Sequence, residues 1–141
     1  GEGFYIVTSG GSAGHNWAHM HSAIVDKGFD VQLLDASRDY GILSLQGPLS
    51  RDILSSASET GDEFWSNEEF PFSTQREVNF QGIQIRALRI SFLHIPNEHC
   101  EVIYKLLHRA GKKFGMVNGG FRAIDSLSIE KGYPHWHQEI R

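Results

Sequence analysis

The sequence predicts a single globular domain that combines α-helices with β-strands, and three observations lead to that prediction. The chain has 141 residues, close to the length of one domain of about 150 residues. Apolar residues make up 40% and charged residues 21%, with a mean hydropathy of -0.32, which is typical of globular proteins. Short apolar segments also alternate with amphipathic segments that have helical spacing.

The charge balance and the single cysteine exclude several functional classes. Thirteen basic and 17 acidic residues give a net charge of -4 without a long cluster of one sign, so no nucleic-acid partner is expected. Cys100 cannot form a disulfide within the chain and has no zinc-type spacing, which favours a reducing compartment. No apolar stretch reaches the roughly 18 residues of a membrane span, so no membrane partner is expected. Because a strand pattern begins almost at once, we expect a piece of a longer protein.

The first third of the chain predicts a strand, a helix and a second strand. Residues 4–8 (FYIVT) and 31–35 (VQLLD) are short and apolar, which favours strands. Between them, apolar residues recur at steps of three and four from Trp17 to Val25, which predicts an amphipathic helix. Gly28 is expected to end that helix as a C-cap glycine.

The middle of the chain predicts a strand, a short helix and a β-hairpin. Residues 42–45 (ILSL) have a strand pattern, and Ser50 is expected to cap the helix that follows. The polar stretch 58–67 is interpreted as a loop. Residues 77–89 alternate in hydropathy on both sides of Gln81-Gly82, which predicts a hairpin.

Two amphipathic helices are predicted in the last third. The first begins at Asn97 and ends near Gly111, and the second opens after Gly119-Gly120 and stops at Gly132. The side chains expected to face the core are Val102, Leu106 and Leu107 in the first helix and Phe121, Ile124, Leu127 and Ile129 in the second.

One segment does not fit a single strand. Between Ile83 and Pro96 the apolar positions change phase at Ala87-Leu88 and again at Phe92-Leu93, with no turn residue after Arg89. A strand normally keeps its apolar residues on one face. We therefore expect that residues are missing from the chain at this point.

The first third also has the outline of a dinucleotide-binding unit. Gly11 and Gly14 lie in the turn between strand and helix, and Asp35 stands where an acidic residue would accept a hydrogen bond from a ribose. Ser9, however, occupies the position of the first glycine of that fingerprint. A plain strand-to-helix turn that needs one or two glycines explains the same residues more simply.

Histidines raise the question of a metal site. His15 and His19 share one face of the predicted helix, as in metalloprotease helices, but no glutamate follows His15. Imidazoles that bond to the backbone explain the pair more simply. No metal is predicted.

Four segments together resemble a known family. They are residues 5–20 (YIVTSGGSAGHNWAHM), 41–50 (GILSLQGPLS), 67–73 (NEEFPFS) and above all 121–136 (FRAIDSLSIEKGYPHW). These segments resemble the folate-binding aminomethyltransferase domain of the glycine cleavage T-protein family, in the branch that contains mitochondrial sarcosine dehydrogenase. The resemblance covers nearly the whole chain, which corresponds to part of that domain.

The resemblance implies a fold, a ligand and a location. It implies an α+β fold of mostly antiparallel sheets with packed helices, so that residues 1–141 form a partial folate-binding domain without a flavin domain. In such proteins tetrahydrofolate receives the one-carbon unit released from an N-methyl amine, and FAD is bound by an upstream domain outside this chain. The implied location is the mitochondrial matrix, and the fragment alone is expected to be inactive as an amine oxidase.

The resemblance also implies site residues. Asn16 matches the position of the T-protein's catalytic aspartate, and Asp35, Arg122, Glu130 and Trp136 are the residues expected to surround the pterin. The family has a hairpin resembling V-G-E-L-G-W-E, whose glutamate contacts the pterin, and this chain lacks it at the phase change. We therefore expect folate affinity to be reduced or lost.

Two other functions stay open at this point. The chain could belong to a non-catalytic regulatory relative, similar to the regulatory subunit of pyruvate dehydrogenase phosphatase, which would use the same scaffold to bind a partner. It could also be an independent dinucleotide-binding enzyme built on the first third of the chain.

Overall fold

The chain divides into two compact units. The structure is a computed structural model that describes residues 3–89 and 92–134. The units are Gly1–Ala36 and Ser37–Arg141. None of the helices in the described ranges is long and apolar enough to cross a membrane.

The first unit contains the predicted helix. A short 3₁₀ turn at Gly10–Ser12 leads into α1, Ala13–Lys27. The helix ends at Gly28, which adopts the left-handed conformation with φ 62° and donates its backbone N–H to the carbonyls of Ile24 and Val25. The predicted helix and its glycine cap are therefore confirmed.

The two strands predicted around α1 are wrong. Residues 4–8 and 31–35 have no strand structure, and no strand occurs anywhere in residues 3–36. An apolar segment has the propensity for a strand, but a strand also needs a neighbour with which to form hydrogen bonds. Since both strands are absent from this part of the structure, the dinucleotide-binding arrangement is not formed there.

The second unit is built on a sheet of four strands. These are β1 (Tyr40–Ser44), β2 (Gln75–Phe80), β3 (Ile83–Leu88) and β4 (Phe92–Pro96). Their order across the sheet is β1-β4-β3-β2, and every neighbouring pair is antiparallel. With the helices described below, this sheet confirms the α+β fold.

The β2–β3 hairpin forms where the sequence predicts it. Gln81 and Gly82 both have positive φ, 54° and 86°, as a tight two-residue turn requires. The backbone N–H of Gly82 donates to the side-chain oxygen of Asn79 over 2.7 Å. This register places Val78 opposite Ile85 on the buried face.

The phase change between Ile83 and Pro96 marks a reversal of the chain. β3 ends at Leu88, β4 begins at Phe92, and these two residues lie opposite each other in the antiparallel pair. The change of phase that the sequence shows therefore separates two strands, and each strand has its own apolar pattern.

Three helices belong to the second unit: α2 (Ser50–Ala57), α3 (Cys100–Gly111) and α4 (Phe121–Lys131). Ser50 is the first residue of α2 and not its cap. Its hydroxyl donates to the carbonyl oxygen of Gly47 over 2.8 Å, while Leu49 occupies the N-cap position. Gly120 and Gly132 flank α4 as predicted, and Gly132 has φ 72°.

The core lies between one face of the sheet and helices α2 and α3. Buried apolar side chains come from all of these elements and from the segment between α2 and β2: Ile53, Trp65, Phe70, Val78, Phe80, Ile85, Ala87, Leu93, Ile95, Ile103 and Leu107. Trp65 closes a 3₁₀ turn, Asp62–Trp65, inside the stretch predicted to be a loop. That polar stretch therefore contributes one large side chain to the core.

The buried face of α3 agrees with the prediction at Leu107 but not at Val102, and the predicted buried face of α4 is wrong. In α3 the buried residues are Ile103, Leu107 and Gly111, whereas Val102 is 45% exposed. In α4 none of the residues expected in the core is buried, and Ile129 is 73% exposed. A pattern of apolar residues defines a face, but it does not show which element covers that face.

Candidate functional site

The second unit contains a pocket with aromatic walls. It has a volume of about 470 Å³ and lies between α2, the segment that leads from Trp65 to Phe72, and the adjoining ends of β3 and β4, with Tyr133 at its edge. Its apolar lining also includes side chains at the start of α2 and at the strand ends: Leu45, Leu54, Ala87, Leu88, Phe92 and Leu93.

The aromatic side chains form a buried floor and an exposed rim. Trp65 and Phe70 are buried and meet edge to face, with ring centroids 5.8 Å apart. The indole N–H of Trp65 donates to the hydroxyl of Ser58 over 3.2 Å, which fixes the ring. Phe72 and Tyr133, at the rim, are 74% and 67% exposed.

Two arginines line the same pocket and share one acceptor. Nη2 of Arg51 donates to Oδ1 of Asn67 over 2.9 Å, and Arg89 donates to the same oxygen. Arg89 also donates to the carbonyl oxygens of Phe70 and of Ser66, the latter over 3.4 Å. The two guanidinium groups are thus held together at one end of the pocket by neutral oxygens.

The charge of this pair is not balanced by a nearby acid. In residues 3–89 and 92–134 no carboxylate lies within 4.0 Å of a nitrogen of Arg51 or Arg89. By contrast, Arg76 pairs with Glu69 at 3.1 Å and Arg86 with Glu77 at 3.9 Å. Guanidinium groups bind carboxylates and phosphates with two parallel hydrogen bonds. The pocket can therefore bind a flat ring together with an anionic group.

The site residues predicted in the first unit lie in and after α1. The amide nitrogen of Asn16 donates to the hydroxyl of Ser12 over 3.0 Å and to that of Thr8. These bonds orient the Asn16 side chain toward the turn that precedes the helix. Asp35 is exposed in the segment that follows α1.

Of the site residues predicted in the second unit, Arg122 and Glu130 are not among the side chains that line the pocket. Arg122 and Glu130 are exposed near opposite ends of α4, so the structure does not bring them together. Trp136 lies outside the described residues. Tyr133, which belongs to the same resembling segment, does reach the pocket.

The sequence-based interpretation missed Tyr133 and the two arginines that line this pocket, as well as Asn67, which the two arginines share as an acceptor. Asn67 and Tyr133 belong to resembling segments but were not selected, and Arg51 and Arg89 were not selected at all. Arg51 and Asn67 are 16 positions apart in the sequence, and Asn67 and Arg89 are 22 positions apart. This spacing does not indicate that the three side chains meet. Only the fold brings these side chains together.

The histidines that the structure describes are not grouped as metal ligands. Among the side chains the structure describes, no group of three or more histidine, cysteine, aspartate or glutamate residues is arranged to hold a metal ion. A second, wide hollow of about 560 Å³ is lined by Arg38, Asp39 and Glu98, among others. It carries charges of both signs and no large apolar wall, so it is a weaker candidate.

Comparison with known proteins defines the class to which this fold and pocket belong. The family described as "GCVT N-terminal domain" matches residues 1–141, which is the whole chain. The chain therefore belongs to the GCVT family, as its sequence segments indicated.

Individual relatives show which proteins of this class are similar. The chain is 47% identical to mitochondrial sarcosine dehydrogenase of Mus musculus over 148 residues, which is 100% of this chain and 16% of that protein. It is 27% identical to mitochondrial dimethylglycine dehydrogenase of Rattus norvegicus, with 97% of the chain and 16% of the relative covered. It is 28% identical to the mitochondrial pyruvate dehydrogenase phosphatase regulatory subunit of Mus musculus, with the same two shares.

The alignments also show a difference in length. The chain spans about 16% of the length of these relatives. The match with sarcosine dehydrogenase extends over 148 positions although all 141 residues of this chain are used, so at least 148 − 141 = 7 positions have no counterpart here. These positions are internal to the match.

Proposed function

We propose that this chain is the folate-binding part of a sarcosine dehydrogenase-like oxidoreductase. The observation that carries the proposal is the 47% identity with sarcosine dehydrogenase along the entire chain, together with the family match. In the proposed reaction, the one-carbon unit from the oxidative demethylation of an N-methyl amine passes to tetrahydrofolate. Residues 1–141 form a partial aminomethyltransferase-type domain, and the FAD of the parent enzyme is bound by an upstream domain.

The pocket fits part of such a ligand. Tetrahydrofolate carries a flat ring system and a benzoylglutamate with carboxylates, and its amine would supply the nucleophile for the one-carbon unit. The buried rings of Trp65 and Phe70 provide an apolar surface for a flat group. A bound ligand would be partly shielded from water there, which limits hydrolysis of a reactive one-carbon unit.

Asn16 is proposed to position the ligand and not to accept a proton. An amide donates and accepts hydrogen bonds but does not ionise. Its bonds to Ser12 and Thr8 hold the side chain in one orientation. Asp35, Arg122, Glu130 and Trp136 remain proposed folate contacts. The match to mitochondrial relatives supports a mitochondrial location, and we propose the matrix, which import and fractionation of the tagged protein would test.

Titration of tetrahydrofolate into the purified chain tests the proposal. Isothermal titration calorimetry is expected to show weak but saturable binding, because at least seven positions of the relatives are missing. Absence of binding that persists after the family segment V-G-E-L-G-W-E is inserted between Phe92 and Leu93 would remove the folate function. Tight stoichiometric binding would instead contradict the hypothesis that the missing segment contributes to affinity.

A second candidate is a non-catalytic regulatory relative. The 28% identity with the pyruvate dehydrogenase phosphatase regulatory subunit favours it. The two candidates differ in the parent protein, where the enzyme is expected to consume sarcosine in the presence of an electron acceptor. A parent protein that binds a partner but leaves sarcosine unchanged would favour the regulatory role.

A further inference from the structure

We infer that the pocket of the second unit recognises an aromatic carboxylate, with Arg51 and Arg89 as the pair that binds the carboxylate group. The inference deepens the proposed function, on which it rests, by assigning the anionic benzoylglutamate end of the folate to this pocket. The geometry that carries it consists of two guanidinium groups at one end of the pocket and aromatic rings along its wall.

The shared acceptor shows that both guanidinium groups can reach one oxygen-bearing group. One neutral oxygen, Oδ1 of Asn67, accepts hydrogen bonds from both Arg51 and Arg89. A carboxylate in its place would offer two oxygens and a negative charge to the same two donors. The bonds to Asn67 have a charged donor and a neutral acceptor, whereas a carboxylate would add Coulomb attraction and could accept two parallel hydrogen bonds from a guanidinium group. Asn67 is therefore a weaker partner for this pair than a ligand carboxylate.

The two arginines have different parts in this recognition. Arg89 is fixed, because it also donates to the carbonyl oxygens of Ser66 and Phe70. Arg51 is exposed and has one protein acceptor among the residues that the structure describes, although a guanidinium group has five N–H donors. Arg51 is thus free to turn toward a ligand while Arg89 supplies a fixed positive charge.

The aromatic rim selects the rest of the ligand. Phe72 and Tyr133 border the pocket with most of their surface exposed to solvent, and the buried rings of Trp65 and Phe70 lie beneath them. A flat ring placed here would cover the exposed side chains and gain both apolar burial and ring stacking. The volume of about 470 Å³ falls within the range of about 300 to 1,000 Å³ for small-molecule sites.

The first experiment compares a charged with an uncharged probe on the full 141-residue chain. Calorimetry with 4-aminobenzoylglutamate is expected to show saturable binding, and its diamide is expected to bind at least about tenfold more weakly, because it lacks the anionic charge. Arg51→Gln is expected to weaken binding of the charged probe by about tenfold and to leave binding of the diamide unchanged. Arg51 is exposed, so this substitution leaves the core intact.

Two further variants complete the test. Arg109→Gln removes the same charge from the exposed end of α3, away from the pocket, and is expected to leave binding unchanged. Asn67→Asp places a carboxylate between the two arginines. It is therefore expected to raise the melting temperature of the chain and to weaken binding of the charged probe. Equal binding of probe and diamide, equal effects of Arg51→Gln and Arg109→Gln, or no binding of the probe would each overturn the inference.

The outcomes separate this inference from the proposed function. If tetrahydrofolate binds and Arg51→Gln leaves its affinity unchanged, the inference fails while the folate function stands. If 4-aminobenzoylglutamate binds in an Arg51-dependent way and tetrahydrofolate does not bind, the inference stands and the folate function fails.

Discussion

His94 is a buried ionisable residue in the centre of the sheet. It is 1% exposed on β4, opposite Arg86 of β3 and Ile42 of β1. Burial, and to a lesser extent the positive charge of Arg86, lower the pKa of His94 below its usual value. The guanidinium group of Arg86 also forms an ion pair with the carboxylate of Glu77, at 3.9 Å. The folded state therefore favours the neutral imidazole.

This lowered pKa makes stability depend on pH. Below the unfolded pKa of about 6.5, the unfolded chain binds a proton at His94 more readily than the folded chain does. The free energy of unfolding is therefore undiminished above about pH 6.5. It is expected to fall as the pH drops toward the pKa of His94 in the folded chain. Urea unfolding between pH 8 and pH 5 measures the slope of the free energy of unfolding against pH. His94→Gln is expected to flatten it, whereas His19→Gln, at an exposed position, is expected to retain it.

Gly41 allows α3 to approach β1 closely. A Cβ atom at this position would overlap Sγ of Cys100 and lie 3.6 Å from its Cβ. Gly41→Ala is therefore expected to destabilise the chain by about 1 to 3 kcal/mol, the usual cost of overpacking. Chemical denaturation would measure the change, with Gly61→Ala as the control because nothing lies within 4 Å of that position. Cys100→Ala in the same chain is expected to restore part of the loss; no recovery would show that the overlap is not the cause.

At the level of elements, α3 and α4 have similar apolar patterns but different burial. Ile103 of α3 is fully buried, whereas Ile129 of α4 is 73% exposed. Ile103→Ala is expected to cost about 2 to 5 kcal/mol, and Ile129→Ala less than about 0.5 kcal/mol. Thermal or urea unfolding of the two variants provides the measurement. Equal losses would mean that α4 packs its apolar face against the core in solution.

The elements that the sequence predicted correctly depend on local chemistry. The turn at Gln81-Gly82 and the cap at Gly28 each need a backbone conformation that only a few residue types adopt readily. The strands predicted at residues 4–8 and 31–35 failed because a strand depends on a partner that is distant in sequence. Trp65 was missed because the stretch around it is polar apart from Phe64, and only the fold shows that its side chain enters the core.

For the whole molecule, the missing positions lead to a prediction about affinity. The resemblance places the family segment V-G-E-L-G-W-E at Phe92-Leu93, and both residues line the pocket. Inserting this segment between them is expected to raise tetrahydrofolate affinity by at least about tenfold, because it would add contacts to the ligand. Calorimetry would measure the change, with an insertion of seven glycine and serine residues as the control. Equal affinities for both insertions would contradict the prediction.

The family and the fold class were accessible from sequence, but the pocket was not. Contiguous segments such as residues 121–136 carry the resemblance, so they can be recognised without knowledge of the fold. The pair Arg51 and Arg89 meets only at Asn67, and this meeting depends on how α2 and the β3–β4 hairpin pack together. Side-chain clusters of this kind require the tertiary structure.

The attachment of Arg89 to residues 65–72 links two parts of the molecule that are distant in the sequence. Its guanidinium, at the end of β3, is anchored on the carbonyl groups of Ser66 and Phe70. A lineage in which the β3–β4 hairpin becomes longer or shorter therefore also displaces the guanidinium group of Arg89. The ring that Phe70 contributes to the pocket floor moves with it. Hairpin length and ligand preference are expected to change together among the descendants of this domain.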